Sequence, residues 1–140
     1  MRILLWALAL PAGLLALGFV ATLVITLAIE ARYPPAGRFV PVEGGRLHVV
    51  EAGPRDAATT IVVIHGASGN AADPMMAFSR LAARHRVLAF DRPGHGWSDR
   101  IAGSTAASPA RQAAIIAEGL AALGVERAVV VGHSWGGALA

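Results

Sequence analysis

Ala128-Val129-Val130-Val131-Gly132-His133-Ser134-Trp135-Gly136-Gly137 is a β-branched apolar run followed at once by the spacing Gly-x-Ser-x-Gly. The five-residue pattern is weak alone and informative directly after a short buried strand, because a serine raised at the top of a strand needs a tight, strained strand-to-helix turn. Side chains two residues before and two after such a serine collide where strand and helix cross, and glycines at 132 and 136 remove them. The turn also aims the first amides of the following helix, beginning with Trp135 N–H, at the place where an oxyanion forms beside Ser134 Oγ. The plainer alternative is a glycine-rich loop that only turns the chain.

Upstream, Thr60-Ile61-Val62-Val63-Ile64 is an uninterrupted apolar strand of the kind buried on both faces of a parallel sheet. It ends in His65-Gly66-Ala67-Ser68-Gly69-Asn70, where Gly66 permits a close backbone turn at the carboxyl end of a strand. The Ala67 amide there is the natural second oxyanion donor beside Trp135 N–H. Phosphate binding by this Gly-x-x-Gly loop is the weaker reading, since neither Gly-x-Gly-x-x-Gly nor Gly-x-x-x-x-Gly-Lys occurs. His65 reads as a tie between loops, and Ser68 as a loop hydrogen-bonding residue without an elbow.

Ahead of this strand, Arg38–Glu43 and Arg46–Glu51 read as a hairpin about Gly44-Gly45, with Pro41 marking the first strand as an edge. His48 is assigned a packing or surface role, and Glu43 and Glu51 a solvated one. Asp73-Pro74 has the pattern of an N-cap followed by proline, which predicts a helix from Pro74 to about Ala83 burying Met76, Phe78 or Leu81 according to register.

After the strand Val87–Phe90, Asp91-Arg92-Pro93-Gly94-His95-Gly96-Trp97-Ser98-Asp99-Arg100 allows two readings. Asp91 with His95 is a candidate catalytic pair or the start of a metal site, though no third ligand stands at a recognisable spacing. The preferred reading has Asp91 and Arg92 fixing a rigid turn, with Trp97 and His95 lining or supporting a pocket. Residues 101–107 form a small, Ala-rich loop. Ser108-Pro109 then opens a helix with Gln112, Ile115, Ile116, Leu120 and Leu123 on one stripe and Gly124 as its stop; Glu118 is read as solvated.

Residues 3–29 are uncharged and exceed the roughly 20 residues that cross a bilayer core. Residues 1–30 are therefore taken as a single transmembrane anchor, with a cleavable signal peptide as the alternative, and 31–37, containing Pro34-Pro35-Ala36-Gly37, as a stiff linker. Arg2 favours an inside N-terminus and Arg32, Arg38 and Arg46 the reverse. The arrangement taken is a bacterial-type cytoplasmic membrane with the domain outside. Cysteine is absent, and all 12 basic residues are scattered arginines giving a net charge of +3, which argues against nucleic acid as a partner.

Over residues 38–140 the chain resembles the α/β-hydrolase superfamily, on Val63-Ile64-His65-Gly66, Phe90–Ser98 and Val131–Gly137 in the right order around predicted strands. The resemblance implies a mostly parallel sheet with helices on both faces, incomplete at the C-terminus. It makes Ser134 the nucleophile, Ala67 and Trp135 the oxyanion donors and His133 a buried support within the elbow. Relatives that open epoxides or displace halide carry aspartate at the elbow, so serine argues against both activities.

The implied reaction is acyl transfer to Ser134 from a small ester or lipid-like substrate, without metal or cofactor. The alternatives are a cofactor-free perhydrolase or carbon–carbon hydrolase, or a non-catalytic binding protein. In this fold the acid and histidine follow the serine, whereas all 9 acidic residues and all 5 histidines here precede it. The span alone is therefore expected to be inactive and to self-associate.

Overall fold

The computed structural model describes residues 2–101 and 107–140, which fall into two units, residues 1–34 and 35–140. The stretch 102–106, within the expected small loop, lies outside the described residues. The first unit is helix α1, Arg2–Arg32. Its stretch Ala9–Arg32 is 24 exposed residues, apolar except for Thr22, Thr26, Glu30 and Arg32, in the one described helix long and apolar enough to cross a membrane. At 1.5 Å per residue that stretch reaches about 36 Å, beyond a hydrocarbon core of about 30 Å. Pro11 lies inside the helix, as membrane spans tolerate.

The second unit contains one sheet in the order β1-β2-β4-β3-β5. Its strands are β1 (Arg38–Val42), β2 (Gly45–Ala52), β3 (Thr60–Ile64), β4 (Arg86–Phe90) and β5 (Val129–Gly132). Pairings β1–β2 and β2–β4 are antiparallel, and β4–β3 and β3–β5 parallel. The sheet is thus mixed where a mostly parallel one is expected, because the hairpin contributes both its strands. Pro41 falls on the edge strand as its missing N–H requires. The hairpin turn lies one residue earlier than the sequence suggests: Gly44 takes the positive φ of 84°, and Gly45 already pairs with Val42.

Helices α2 (Ala72–Phe78) and α3 (Pro109–Ala122) cover opposite faces. On the α3 face Leu47, Val49, Val62, Ile64, Leu88 and Phe90 pack with Ile115 and Ile116. The α2 face is smaller: Met75, Phe78 and Ala82 pack on Ile61, Val63 and Val87. α3 begins as expected, with Ser108 Oγ accepting from Arg111 N–H at 3.2 Å, and Pro109 in the first turn. It ends in a Schellman arrangement, Gly124 N–H to Ala121 O at 3.0 Å and Val125 N–H to Leu120 O at 2.9 Å, with Gly124 at φ 68°.

Several local expectations are corrected. α2 starts earlier and ends sooner than predicted: Asp73 sits inside it and accepts from Asn70 N–H, and Ser79–Ala83 tightens into a 3₁₀ turn. Met75 and Phe78 face the sheet, while Met76 is 79% exposed. Glu51 is a half-buried hub for Arg38, Arg55 and Arg86. Its burial raises the pKa, but hydrogen bonds and charge from Arg86 and Arg38 outweigh that and hold the carboxyl below its ordinary value. Glu118 is not simply solvated, since its carboxylate caps the Glu43 N–H at 3.0 Å in the β1–β2 turn. β5 is an edge strand, with Val129 53% and Val130 41% exposed.

A helix of this length and composition is compatible with a membrane anchor, and an anchor resists washes that strip electrostatically bound proteins. The protein is expected to remain in the membrane pellet after washes with high salt and alkaline carbonate, as read by immunoblot. Appearance of an N-terminally processed domain in the supernatant contradicts the anchor.

Candidate active site

The parallel ladder carries β5 to the threshold of the turn, where His133 N–H donates to Ile64 O at 3.0 Å. Ser134 follows with φ of 52°, the one non-glycine residue in the left-handed region among the described residues. Such a conformation costs a serine about 1–2 kcal/mol, so the surroundings must impose it. They do so by contact. A Cβ at Gly132 would overlap the Gly136 carbonyl and Gly137 Cα, and one at Gly136 would stand 2.5 Å from Ile64 O and 2.6 Å from His65 O. The backbones cross where the sequence pattern requires, and Ser134 is left exposed at the apex.

The β3 loop packs against this apex. A Cβ at Gly66 would lie 3.2 Å from His133 Nδ1 and 3.4 Å from Ser134 Cβ, so even a methyl group there would crowd the elbow. Ser134 opens on a cavity of about 780 Å³, lined also by Gly66, Ala67, Ser68, Phe78, Val131 and His133. A second cavity of about 320 Å³ is lined by Ala67, Arg92, His95, Arg100, Gln112 and Trp135. Ala67 belongs to both, so the two residues expected to donate oxyanion amides, Ala67 and Trp135, share the second cavity's wall.

His65 is buried and fixed at both nitrogens. Its Nδ1–H donates to Gly66 O at 2.8 Å, and its Nε2 accepts from Arg92 N–H at 3.0 Å, which ties the loops after β3 and β4. Burial pushes this imidazole below its ordinary pKa despite the opposing bond to Gly66 O.

Asp91 does not pair with His95. Its buried carboxylate accepts from His48 Nδ1–H at 2.8 Å, Ala71 N–H at 2.6 Å and Trp97 N–H at 2.9 Å. His48 Nε2 accepts from Gly37 N–H at 3.1 Å, which puts the proton on Nδ1. Ser98 Oγ completes the node, donating to Asp91 O at 2.6 Å and accepting from His48 N–H at 2.9 Å. Gly96, at φ 50°, is obligatory because a Cβ there would strike the Asp91 carboxylate. Asp91 is therefore a turn-fixing acceptor. Trp97 serves through its amide; its side chain lines neither of the two cavities.

His95 lines the smaller cavity, Nδ1 3.2 Å from Pro93 O and Nε2 3.0 Å from Arg92 Nη2. Nε2 also lies 3.1 Å from Ala67 O, so His95 and Arg92 both border that carbonyl. His133 is exposed, not buried: strand alternation sends it to the same face as Val131, where it lines the larger cavity. Among the described residues no group of three His, Asp or Glu is arranged to hold a metal.

Sequence reasoning missed three residues. His48 and Ser98 complete the Asp91 node, and Arg92, 2% exposed, does much more than turn the chain. Its Nη1 donates to Gln112 Oε1 at 2.9 Å, its Nη2 to Gly66 O at 2.9 Å and Ala67 O at 3.2 Å, and its guanidinium carbon lies 4.5 Å from the Trp135 ring centroid. Gln112 was the available signal, a lone polar residue on the buried stripe of α3 that implies a buried donor facing it.

A mixed sheet ending in a strained Gly-x-Ser-x-Gly turn, with a glycine loop packed beside it, defines an α/β-hydrolase fold. Residues 59–140 match the family model described as alpha/beta hydrolase fold, and the chain belongs to that family. It is similar, at 38% identity over 106 residues, to the dihydrolipoyllysine-residue acetyltransferase component of the acetoin cleaving system of Cupriavidus necator, covering 75% of this chain and 27% of that protein. The proline iminopeptidase of Heyndrickxia coagulans is 30% identical over 102 residues, 73% of this chain and 35% of the relative. The crystal structure of Epoxide Hydrolase A from Mycobacterium thermoresistibile superposes with a TM-score of 0.67 at 32% identity, over 75% of this chain and 33% of that one. The chain thus spans about a third of the length of the proteins it matches.

The His65 geometry has a pH consequence. With its folded pKa depressed, the unfolded chain takes up the proton first as pH falls, so the stability held by neutral His65 is complete above about 6.5, the unfolded value, and is lost as pH drops toward the folded one. Denaturant midpoints between pH 7.5 and 5 are expected to decline in the wild type and to decline less in His65→Asn, whose amide keeps the donor to Gly66 O. Equal slopes contradict the assignment.

Proposed function

We propose that Ser134 is the nucleophile of a serine hydrolase, with the amides of Ala67 and Trp135 as its oxyanion donors. The observation that carries this reading is the left-handed backbone of exposed Ser134 at the crossing of Gly132 and Gly136. In the reaction Ser134 Oγ adds to an ester-like carbonyl, the Ser134 proton passes to a general base, and the carbonyl electrons settle on the oxygen facing the amides. Collapse expels the alcohol and leaves an acyl enzyme that water releases. The chain order implied by the resemblance assigns the histidine base and its acid to positions after Ser134. His65, Asp91 and His95 support the loops, and His133 borders the substrate cavity. The substrate is a small ester or lipid-like molecule, reached from a domain anchored by α1 on the outer side of a bacterial-type cytoplasmic membrane.

A second reading keeps Ser134 and changes the substrate: perhydrolysis or carbon–carbon cleavage without a cofactor. The relatives' names support that breadth, since they span an acetyltransferase component of an acetoin cleaving system, an iminopeptidase and an epoxide hydrolase. Serine at the elbow separates this chain from the aspartate chemistry that the resemblance assigns to epoxide opening.

In the complete gene product, Ser134→Ala is expected to cut turnover by several orders of magnitude while leaving the thermal midpoint nearly unchanged, and Ser68→Ala to stay near wild type. Initial rates on p-nitrophenyl esters of graded chain length, alongside a vinylogous diketone and a peracid assay, separate the two substrate readings. Full activity in Ser134→Ala contradicts both.

A further inference from the structure

Arg92 is buried, yet none of its partners is anionic. Its guanidinium contacts the side-chain oxygen of Gln112, two backbone carbonyls, His95 Nε2 and the face of Trp135, and its Nε has no partner among the described residues. No described carboxylate lies within ion-pair distance of it, and the undescribed stretch 102–106, Ala-Gly-Ser-Thr-Ala, contains none in its sequence. Taking a cation out of water without a counter-charge costs several kcal/mol, and buried Arg86 by contrast has Glu51 as its ion-pair partner at 2.8 Å.

The guanidinium lies beside the elbow and the β3 loop at once. Nη2 donates to Gly66 O, the carbonyl of the same peptide group as the Ala67 N–H, and to Ala67 O of the next, and the guanidinium stacks on the side chain of Trp135. One cation therefore touches both residues whose amides face the forming oxyanion. We propose that Arg92 is a positioning residue for the oxyanion site, its planar fork holding the peptide of Ala67 and its face holding the ring of Trp135. This rests on the Ser134 reading. The hydrogen bonds orient the Ala67 peptide, the stacking fixes Trp135, and the positive charge behind both favours negative charge on the substrate oxygen in a medium of low dielectric. A resident carboxylate at this place would cancel that field.

The discriminating variant is Gln112→Glu. It is isosteric and keeps an acceptor for Nη1 while placing a carboxylate against Arg92. A merely structural Arg92 is stabilised by the new ion pair with activity unchanged or improved. The proposal expects a thermal midpoint equal to or above wild type, with kcat reduced about tenfold or more and KM little changed, on the scale of weakening one oxyanion donor. Affinity for a trifluoromethyl ketone, which forms a hemiketal oxyanion on Ser134, falls in parallel, whereas affinity for the matching methyl ketone does not. Arg92→Lys retains charge but not the planar fork and is expected to fall between wild type and Arg92→Gln. Unchanged kcat and trifluoromethyl ketone affinity in folded Gln112→Glu overturn the role of Arg92. A wild-type protein that the trifluoromethyl ketone does not inhibit goes instead against the Ser134 reading itself.

Discussion

The steric crossing at the elbow is the constraint from which the rest of the domain follows. Gly132 and Gly136 let the turn pass over itself and over the carbonyls of Ile64 and His65, and no larger residue fits at either position. That crossing puts Ser134 in a conformation it does not choose by itself and locks the end of β5 to the end of β3 through His133 N–H and Ile64 O. Placing the two strand ends side by side is also what brings the Gly66-Ala67 loop to the serine. The energetic cost of the strained residue is borne by a deep apolar sandwich in which β3 and β4 are buried almost throughout.

Two buried polar nodes convert this packing into a defined loop geometry. Asp91 gathers β2, the start of α2 and the loop after β4 by accepting from His48, Ala71 and Trp97, and each of those donors would be left unsatisfied without it. Arg92, the next residue, reaches the opposite way, to the β3 loop, to α3 through Gln112 and to Trp135 beyond the elbow. Adjacent residues of opposite charge thus serve two separate tasks. Asp91 is saturated by donors and fixes the fold. Arg92 is held by neutral acceptors and lies against the Trp135 ring beside the elbow.

The sequence was most legible where backbone sterics or capping chemistry decide the outcome. The glycines of the elbow, Pro41 on the edge strand, Ser108-Pro109 and Gly124 at the ends of α3 each have one sensible structural use. It was least legible for polar residues whose partners are distant in the chain. His48 lies 43 residues from Asp91 and sits among buried Leu47 and Val49, with no alternation to mark it. Arg92 and Gln112 are 20 residues apart, on a loop and a helix, and only the fold joins them. The tempting local pair, Asp91 and His95, was misleading for the same reason: proximity in sequence does not aim side chains at one another, and Gly94 and Gly96, both at positive φ, turn the loop between them.

A reactive Ser134 and a merely strained turn serine differ in their response to a phosphonylating probe. The most direct measurement is treatment of the complete gene product with a fluorophosphonate, followed by peptide mapping by mass spectrometry. The result expected is a single stoichiometric adduct on the peptide containing Ser134, prevented by prior incubation with a trifluoromethyl ketone. An adduct on Ser68, or a folded protein that takes no label at Ser134, contradicts a nucleophilic Ser134.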